Sequence, residues 1–160
     1  VDIDHTVSDA AWRDHLLPPP GSDDEAWDAY HRDVLLDEPI VEVVELLQVL
    51  VREAVMIYAV TGRNERYRRE TEAWLTRHGV PVFDVIMRGD GDRRSSGEFK
   101  LAVIRELFPN IDDVMFILED RPRVVEALRV LGRPILQVHA GERRTHHEAE
   151  EREGAAADAG

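Results

Sequence analysis

The chain has 160 residues, 43% hydrophobic and 33% charged, enough for one domain with a sizeable core and ordinary for a globular protein. Its formal net charge of −13 argues against a duplex-coating role and leaves room only for local nucleic-acid contact, at a terminus or a single phosphate. There is no Cys, which excludes disulfides and thiolate metal sites, and there is neither a membrane-length apolar run nor a signal-peptide pattern at the start, so a cytoplasmic protein without a membrane partner is expected.

Val1-Asp2-Ile3-Asp4 reads as the end of a strand. Strand side chains alternate, so Asp2 and Asp4 point to one side and Ile3 to the other. Two adjacent carboxylates repel unless a cation or a shared proton neutralises them, and a hard divalent metal is the simplest solution. Only Val1 precedes Asp2, so residues upstream of this strand are expected to be missing, from a few to a whole domain. Residues 7–23 read as loop because of Pro18-Pro19-Pro20-Gly21. Ser22-Asp23-Asp24-Glu25 signals a helix start, with Trp27, Tyr30, His31 and Val34 following. Pro39 opens a stronger helix with Ile40, Val43, Val44, Leu47 and Leu50 at the 3.6-residue period.

Val55–Val60 is a buried strand ending at Thr61-Gly62-Arg63. A helix with Tyr67, Thr71, Trp74, Leu75 and His78 on one stripe ends at Gly79. A strand over 82–87, a polar loop over 88–98 and a helix carrying Phe99, Ala102, Val103 and Leu107 come next. Val114–Leu118 is a buried strand ending at Glu119-Asp120, Pro122 starts a helix, and 135–138 is a final strand. From Gly141 on, an acidic tail is expected to fray into disorder.

Strands alternating with helices predict an α/β fold with a parallel sheet, whose ligands bind beyond the carboxyl ends of the strands. Asp2 and Asp4, Thr61-Gly62-Arg63, and Glu119-Asp120 all fall at such ends. Lys100, the only lysine of the chain, lies on the inward face of its helix, a costly place unless it pairs with carboxylates or phosphate. This set suits phosphoryl transfer. Asp2 would attack phosphorus and form an aspartyl-phosphate, while Asp4 would protonate the leaving oxygen and then deprotonate the hydrolytic water. Mg2+ would be held by Asp2, Asp4, Glu119 and Asp120, and the Thr61 hydroxyl and Gly62 amide would donate to the phosphoryl group.

The ordered set Asp2-x-Asp4-x-Thr6, Thr61-Gly62, Lys100 and Glu119-Asp120 resembles the four motifs of the haloacid dehalogenase (HAD) superfamily of phosphohydrolases. Within it, Thr61-Gly62-Arg63 with the helix through Trp74-Leu75, Gly91-Asp92-Arg93-Arg94 before Lys100, and Glu119 to Glu126 resemble the 3′-phosphatase domain of phage-type polynucleotide kinase/phosphatase. The resemblance implies a Rossmann-like domain over residues 1–140 with a small cap inserted after the first strand, at about 8–38. It also implies Mg2+ dependence, removal of 3′-phosphate from DNA or RNA ends, and frequent fusion to an upstream 5′-kinase. It places Arg13 and Arg63 as substrate-binding arginines.

Three positions depart from the family pattern: His5 for Gly, Glu119 for Asp, and Ser96 for the Asp four residues before the lysine. Two alternatives stay open. One is a HAD phosphatase for a mononucleotide or small phosphorylated metabolite; the other is a non-catalytic binding module derived from a phosphatase.

Overall fold

A computed structural model describes residues 1–19 and 21–138. The expected tail over 141–160 lies outside the described residues. No helix among the described residues is long and apolar enough to cross a membrane.

The strands are β1 (Ser8–Asp9), β2 (Glu38–Pro39), β3 (Tyr58–Asn64), β4 (Asp84–Arg88), β5 (Ile117–Glu119) and β6 (Ile135–Gln137). The helices are α1 (Asp24–His31), α2 (Val41–Arg52), α3 (Arg68–Arg77), α4 (Ser96–Leu107) and α5 (Pro122–Leu128). β3 pairs with β4 and β5 with β6, both in parallel. The first residues run between these pairs. Val1 N donates to Tyr58 O at 2.8 Å and Val60 N to Val1 O at 2.9 Å, while Asp2 N donates to Leu118 O at 3.0 Å. The spatial order is therefore β4, β3, residues 1–4, β5, β6, with the Asp-x-Asp segment central.

Successive strand residues face opposite layers. Ile117 packs with Ile104, Val124 and Leu128 of α4 and α5, whereas Leu118 packs with Ile3, with Val43 and Leu47 of α2 and with Trp74 of α3. Helices thus cover both faces of the sheet, and Ile3 points into the α2–α3 side as its alternation requires.

Several boundaries move relative to the sequence reading. The β3 ladder begins at Tyr58 instead of Val55 and runs on through Arg63, because Met56 stands 64% exposed ahead of it. The stretch read as loop over 7–23 contains β1 and a 3-10 helix, Ala11–Leu16. Pro39 lies in β2, and α2 starts at Val41. The polar loop ends at Ser95, whose side chain and that of Glu98 form a reciprocal cap that starts α4.

β1 and β2 pair antiparallel and close the base of an excursion that carries Ala11–Leu16 and α1. The Asp23 side chain caps α1 by accepting from Ala26 N. Arg66, just past β3, reaches Asp28 of α1 at 3.1 Å and Asp90 at 3.2 Å, and Gly91 N donates to Asp24 at 2.8 Å, tying the excursion to the loop before α4.

Candidate active site

Asp2 and Asp4 are both buried, each 5% exposed, but their carboxylates go to different partners. Lys100 Nζ lies 2.7 Å from Asp2 Oδ1 and 2.7 Å from Glu119 Oε2. α4 brings the ammonium there, while the central segment and β5 bring the acids. Burial opposes the charge on Lys100, and the two carboxylates outweigh burial and raise its pKa. These two partners occupy the lysine where Ser96 supplies no carboxylate.

Carboxylate oxygens of Asp2, Glu119 and Asp120 lie within 4.8 Å of one another. Burial and the charge of Asp2 push both Glu119 and Asp120 above the usual carboxylate range. Three acids against one directly bonded ammonium leave surplus negative charge among oxygen donors only, which suits a hard divalent cation. Asp4 is not in this cluster, so the expected four-carboxylate metal set reduces to three side chains. The physical reason is that two guanidinium groups hold Asp4. Arg13 Nη2 donates to Asp4 Oδ1 at 2.5 Å, and Arg63 donates from Nη2 at 2.8 Å and from Nε at 3.1 Å. Burial would raise the Asp4 carboxyl, but the charges of Arg63 and Arg13 prevail and hold it well below the usual range.

Neither arginine reaches solvent; both are 0% exposed. The expected grip of Arg13 and Arg63 on a substrate phosphate is corrected accordingly: they grip Asp4, and a second acid completes their pairing. Asp37 accepts from Arg13 Nε at 2.8 Å and Nη2 at 2.6 Å, and from Arg63 Nη2 at 3.1 Å. Trp12 Nε1 at 3.0 Å and Ser8 Oγ at 3.3 Å also donate to it. The arginine ring is further braced by α1, where Tyr30 O accepts from Arg13 Nη1 at 2.8 Å and the Tyr30 ring lies 4.0 Å from the guanidinium carbon. Sequence reasoning missed Asp37. The one available signal was an acid set among Leu35, Leu36, Pro39 and Ile40, where an unpaired charge is costly.

Thr61-Gly62-Arg63 sits where the β3–β4 ladder slips: Val60 opposes Ile86 but Asn64 opposes Arg88. Such an irregularity turns side chains out of the strand's regular alternation. Thr61 is fully buried and its hydroxyl accepts from Arg63 N at 3.2 Å. Gly62 is half-buried beside Ser96, the first residue of α4. Thr6 Oγ1 donates to Asp120 Oδ1 at 3.3 Å, and Glu119 Oε1 accepts from Arg121 N at 3.2 Å. His5, at φ 61°, lies in the left-handed region, with Nε2 2.9 Å from Asp14. His5, Asp14, Asp120, Arg121 and Gln137 line a cleft of about 540 Å³ at this edge of the sheet.

Residues 1–142 match the phosphatase domain family of the polynucleotide kinase PNKP. A Bacillus cereus protein with the provisional name nucleotidase is 33% identical over 109 residues, covering 63% of this chain and 51% of that protein. A chain of the Pnkp1/Rnl/Hen1 RNA repair complex superposes with a TM-score of 0.67 at 26% identity, over 89% of this chain and 42% of that one. A haloacid dehalogenase-like hydrolase from Bacteroides fragilis shares the fold at 13% identity, with a TM-score of 0.59 over 94% and 90% of the two chains. The present chain thus spans about half the length of the curated relative it matches, and less than half of the repair-complex chain. By its α/β sheet, its motif order and the match over nearly all of its length, the chain belongs to the HAD phosphatase family typified by the PNKP phosphatase domain.

Proposed function

We propose that this domain is a Mg2+-dependent phosphomonoesterase that works through an aspartyl-phosphate on Asp2 and removes 3′-phosphate from DNA or RNA ends. The observation that carries the reading is the convergence of Asp2, Glu119, Asp120 and Lys100 from three elements onto one buried point. A divalent cation held by Asp2, Glu119 and Asp120 would offset the charge of a phosphoryl group beside the nucleophile.

The Asp2 carboxylate forms the new P–O bond as the ester P–O bond breaks. Lys100 holds Asp2 in place through their ion pair at 2.7 Å. The Thr61 hydroxyl and the Gly62 amide donate to the phosphoryl oxygens. Asp4, as the arginines hold it, is a carboxylate of low basicity, so it would take the proton of the water that hydrolyses the aspartyl-phosphate once that hold relaxes. To protonate the leaving oxygen in the first half-reaction, Asp4 must first loosen from Arg13 or Arg63. Arg13, Arg63 and Asp37 are positioning residues acting through Asp4.

A second reading, turnover of a mononucleotide, is favoured by the Bacillus cereus relative. One experiment separates the two. Phosphate release is measured from a 3′-phosphorylated oligonucleotide, from thymidine 3′-monophosphate and from an aryl phosphate, each with Mg2+, with chelator and with Asp2→Asn. Metal-dependent release strongest on the oligonucleotide supports end processing. Release confined to small substrates moves the function to nucleotide turnover, and no release from any of them overturns the enzymatic reading.

A further inference from the structure

The turn that leaves the central segment puts a histidine where the backbone suits a glycine. His5 sits at φ 61°, a conformation that glycine takes freely and a residue with a Cβ takes rarely. Its amide donates to Ser8 O at 2.7 Å, so main-chain atoms that any residue would supply close the turn. Strain kept where glycine would relieve it points to a use for the side chain.

The imidazole is held through one nitrogen. Nε2 lies 2.9 Å from Asp14 Oδ1, on the 3-10 helix Ala11–Leu16, and 3.4 Å from Tyr30 Oη of α1. A lone pair facing a carboxylate oxygen at that distance is repelled, so Nε2 carries the proton and Nδ1 of the neutral ring is an acceptor. Nδ1 has no hydrogen-bond partner among the described residues, and the side chain stands 21% exposed on the wall of the cleft. Thr6, the next residue, donates to Asp120 Oδ1 at 3.3 Å, and Asp120 lines the same cleft while belonging to the cluster with Asp2. A phosphoryl group beside Asp2 therefore has this cleft next to it for the alcohol it is attached to. Leu17, Pro18 and Pro122 give the cleft apolar walls of the kind that take a sugar ring.

We infer that His5, set by Asp14, is a specificity-determining residue that accepts a hydrogen bond from the 2′-hydroxyl of the terminal sugar, so that the site prefers ribonucleotide ends. On a 3′-phosphorylated end that hydroxyl sits on the carbon next to the one bearing the phosphate, so a side chain one residue from Asp4 and three from Asp2 is close enough to read it. The inference rests on the phosphatase reading and narrows its substrate to RNA.

With Mg2+ present, kcat/KM is measured for the full chain on oligonucleotides that differ only at the sugar bearing the 3′-phosphate: ribose, 2′-deoxyribose or 2′-fluoro-2′-deoxyribose. The ribose end should be favoured about 10-fold over the other two, since fluorine fills the position but has no proton to give. His5→Gly, which suits the backbone at φ 61°, should bring all of them within about twofold of one another, and Asp14→Ala should lose part of the preference. The readout is a ratio, so a general loss of activity or of folded protein cancels. No preference for ribose in the parent, a fluoro end turned over as fast as the ribose end, or a preference undiminished in His5→Gly overturns the assignment; a preference undiminished in Asp14→Ala overturns the part given to Asp14. If the parent hydrolyses no ester, binding decides: uridine 3′-monophosphate and its 2′-deoxy counterpart are titrated calorimetrically into the Asp2→Asn chain with and without His5→Gly. Tighter binding of the ribose form that depends on His5 would then sink the proposed function and leave this assignment standing, while equal binding, or none, overturns both. Hydrolysis without a 2′ preference overturns the assignment alone.

Discussion

Replacing Asp37 by Asn tests the buried clamp that holds Asp4. The Asp37 side chain is wholly buried and accepts from five donors on four residues. Asn keeps the shape but supplies one acceptor oxygen. If that oxygen stays toward Trp12 Nε1 and Arg13 Nε, the new amide hydrogens face the Nη2 groups of Arg13 and Arg63. The cluster then holds two guanidinium charges against the single charge of Asp4. Removing one partner from a buried ion cluster costs about 3–5 kcal/mol, a large share of the stability of a typical domain. With a urea m-value of about 2 kcal/mol/M, the unfolding midpoint should fall by about 2 M, read by tryptophan fluorescence. Trp12 and Trp74 both hydrogen-bond to Asp37, so the probe is local as well as global. Adding Arg13→Gln should cost less in the Asp37→Asn background than alone, by about 1–3 kcal/mol, because the orphaned charge leaves with it. A loss below about 1 kcal/mol for Asp37→Asn, or strict additivity of the pair, would refute the clamp.

Three further outcomes follow from particular residues. His31 is packed against Trp27, Tyr30 and Tyr67, and burial lowers its pKa to about 4, with Arg63 and Arg13 adding to the effect and Asp4 and Asp28 opposing it. The unfolded imidazole binds its proton first as pH falls, so this contribution is whole above about pH 6.5 and is lost toward pH 4, with about 2 kcal/mol gone by pH 5; His31→Phe should flatten that part of the urea midpoint's pH dependence, and parallel curves would exclude the role. A side-chain carbon at Gly97 would meet the Ala127 Cβ at 2.7 Å, so Gly97→Ala should destabilise the α4–α5 contact by about 1–3 kcal/mol despite its better helix propensity, and Ala127→Gly should restore stability in that variant while lowering it in the parent. Mg2+ at a hundredfold its dissociation constant should raise the melting temperature by about 5–10 °C, and Asp120→Asn should abolish most of that rise in a thermal shift series; an equal rise in the variant would remove Asp120 from the metal set.

What the sequence disclosed followed from short-range pattern. Apolar runs ending in Thr61-Gly62 and Glu119-Asp120, and the alternation around Ile3, announce strand ends because each signal lies within a few positions. Cap residues such as Ser95 and Glu98 shift a helix start by a turn but are themselves local, and the loop reading over 88–98 underweighted them. The arginine clamp was illegible for a different reason. Asp4, Arg13, Asp37 and Arg63 come from four separate elements and meet only when the sheet and the 11–37 excursion are assembled, so no window of sequence contains the pairing. The resemblance pointed to Arg13 and Arg63 but gave them a substrate phosphate to hold, where they hold Asp4 and Asp37. A buried acid without a motif, such as Asp37, gives no periodic signal at all.

The place of residues 1–4 in the sheet has a consequence for how the chain reaches this state. Among the described residues, the β3–β4 and β5–β6 pairs are joined through this short segment alone, by hydrogen bonds from Val60 to Val1 and from Asp2 to Leu118. Until it docks, each pair presents an unpaired inner edge, on β3 and on β5, of the kind that recruits other chains. One of the two contacts, Asp2 to Leu118, joins positions separated by most of the described chain, the kind of non-local closure that slows folding. Docking also draws two carboxylates into the interior, which is unfavourable before Lys100, Arg13 and Arg63 have arrived. The two carboxylates of the candidate site therefore oppose the closing of the sheet until their partners arrive, and an open sheet edge is the form of the chain most prone to misassembly.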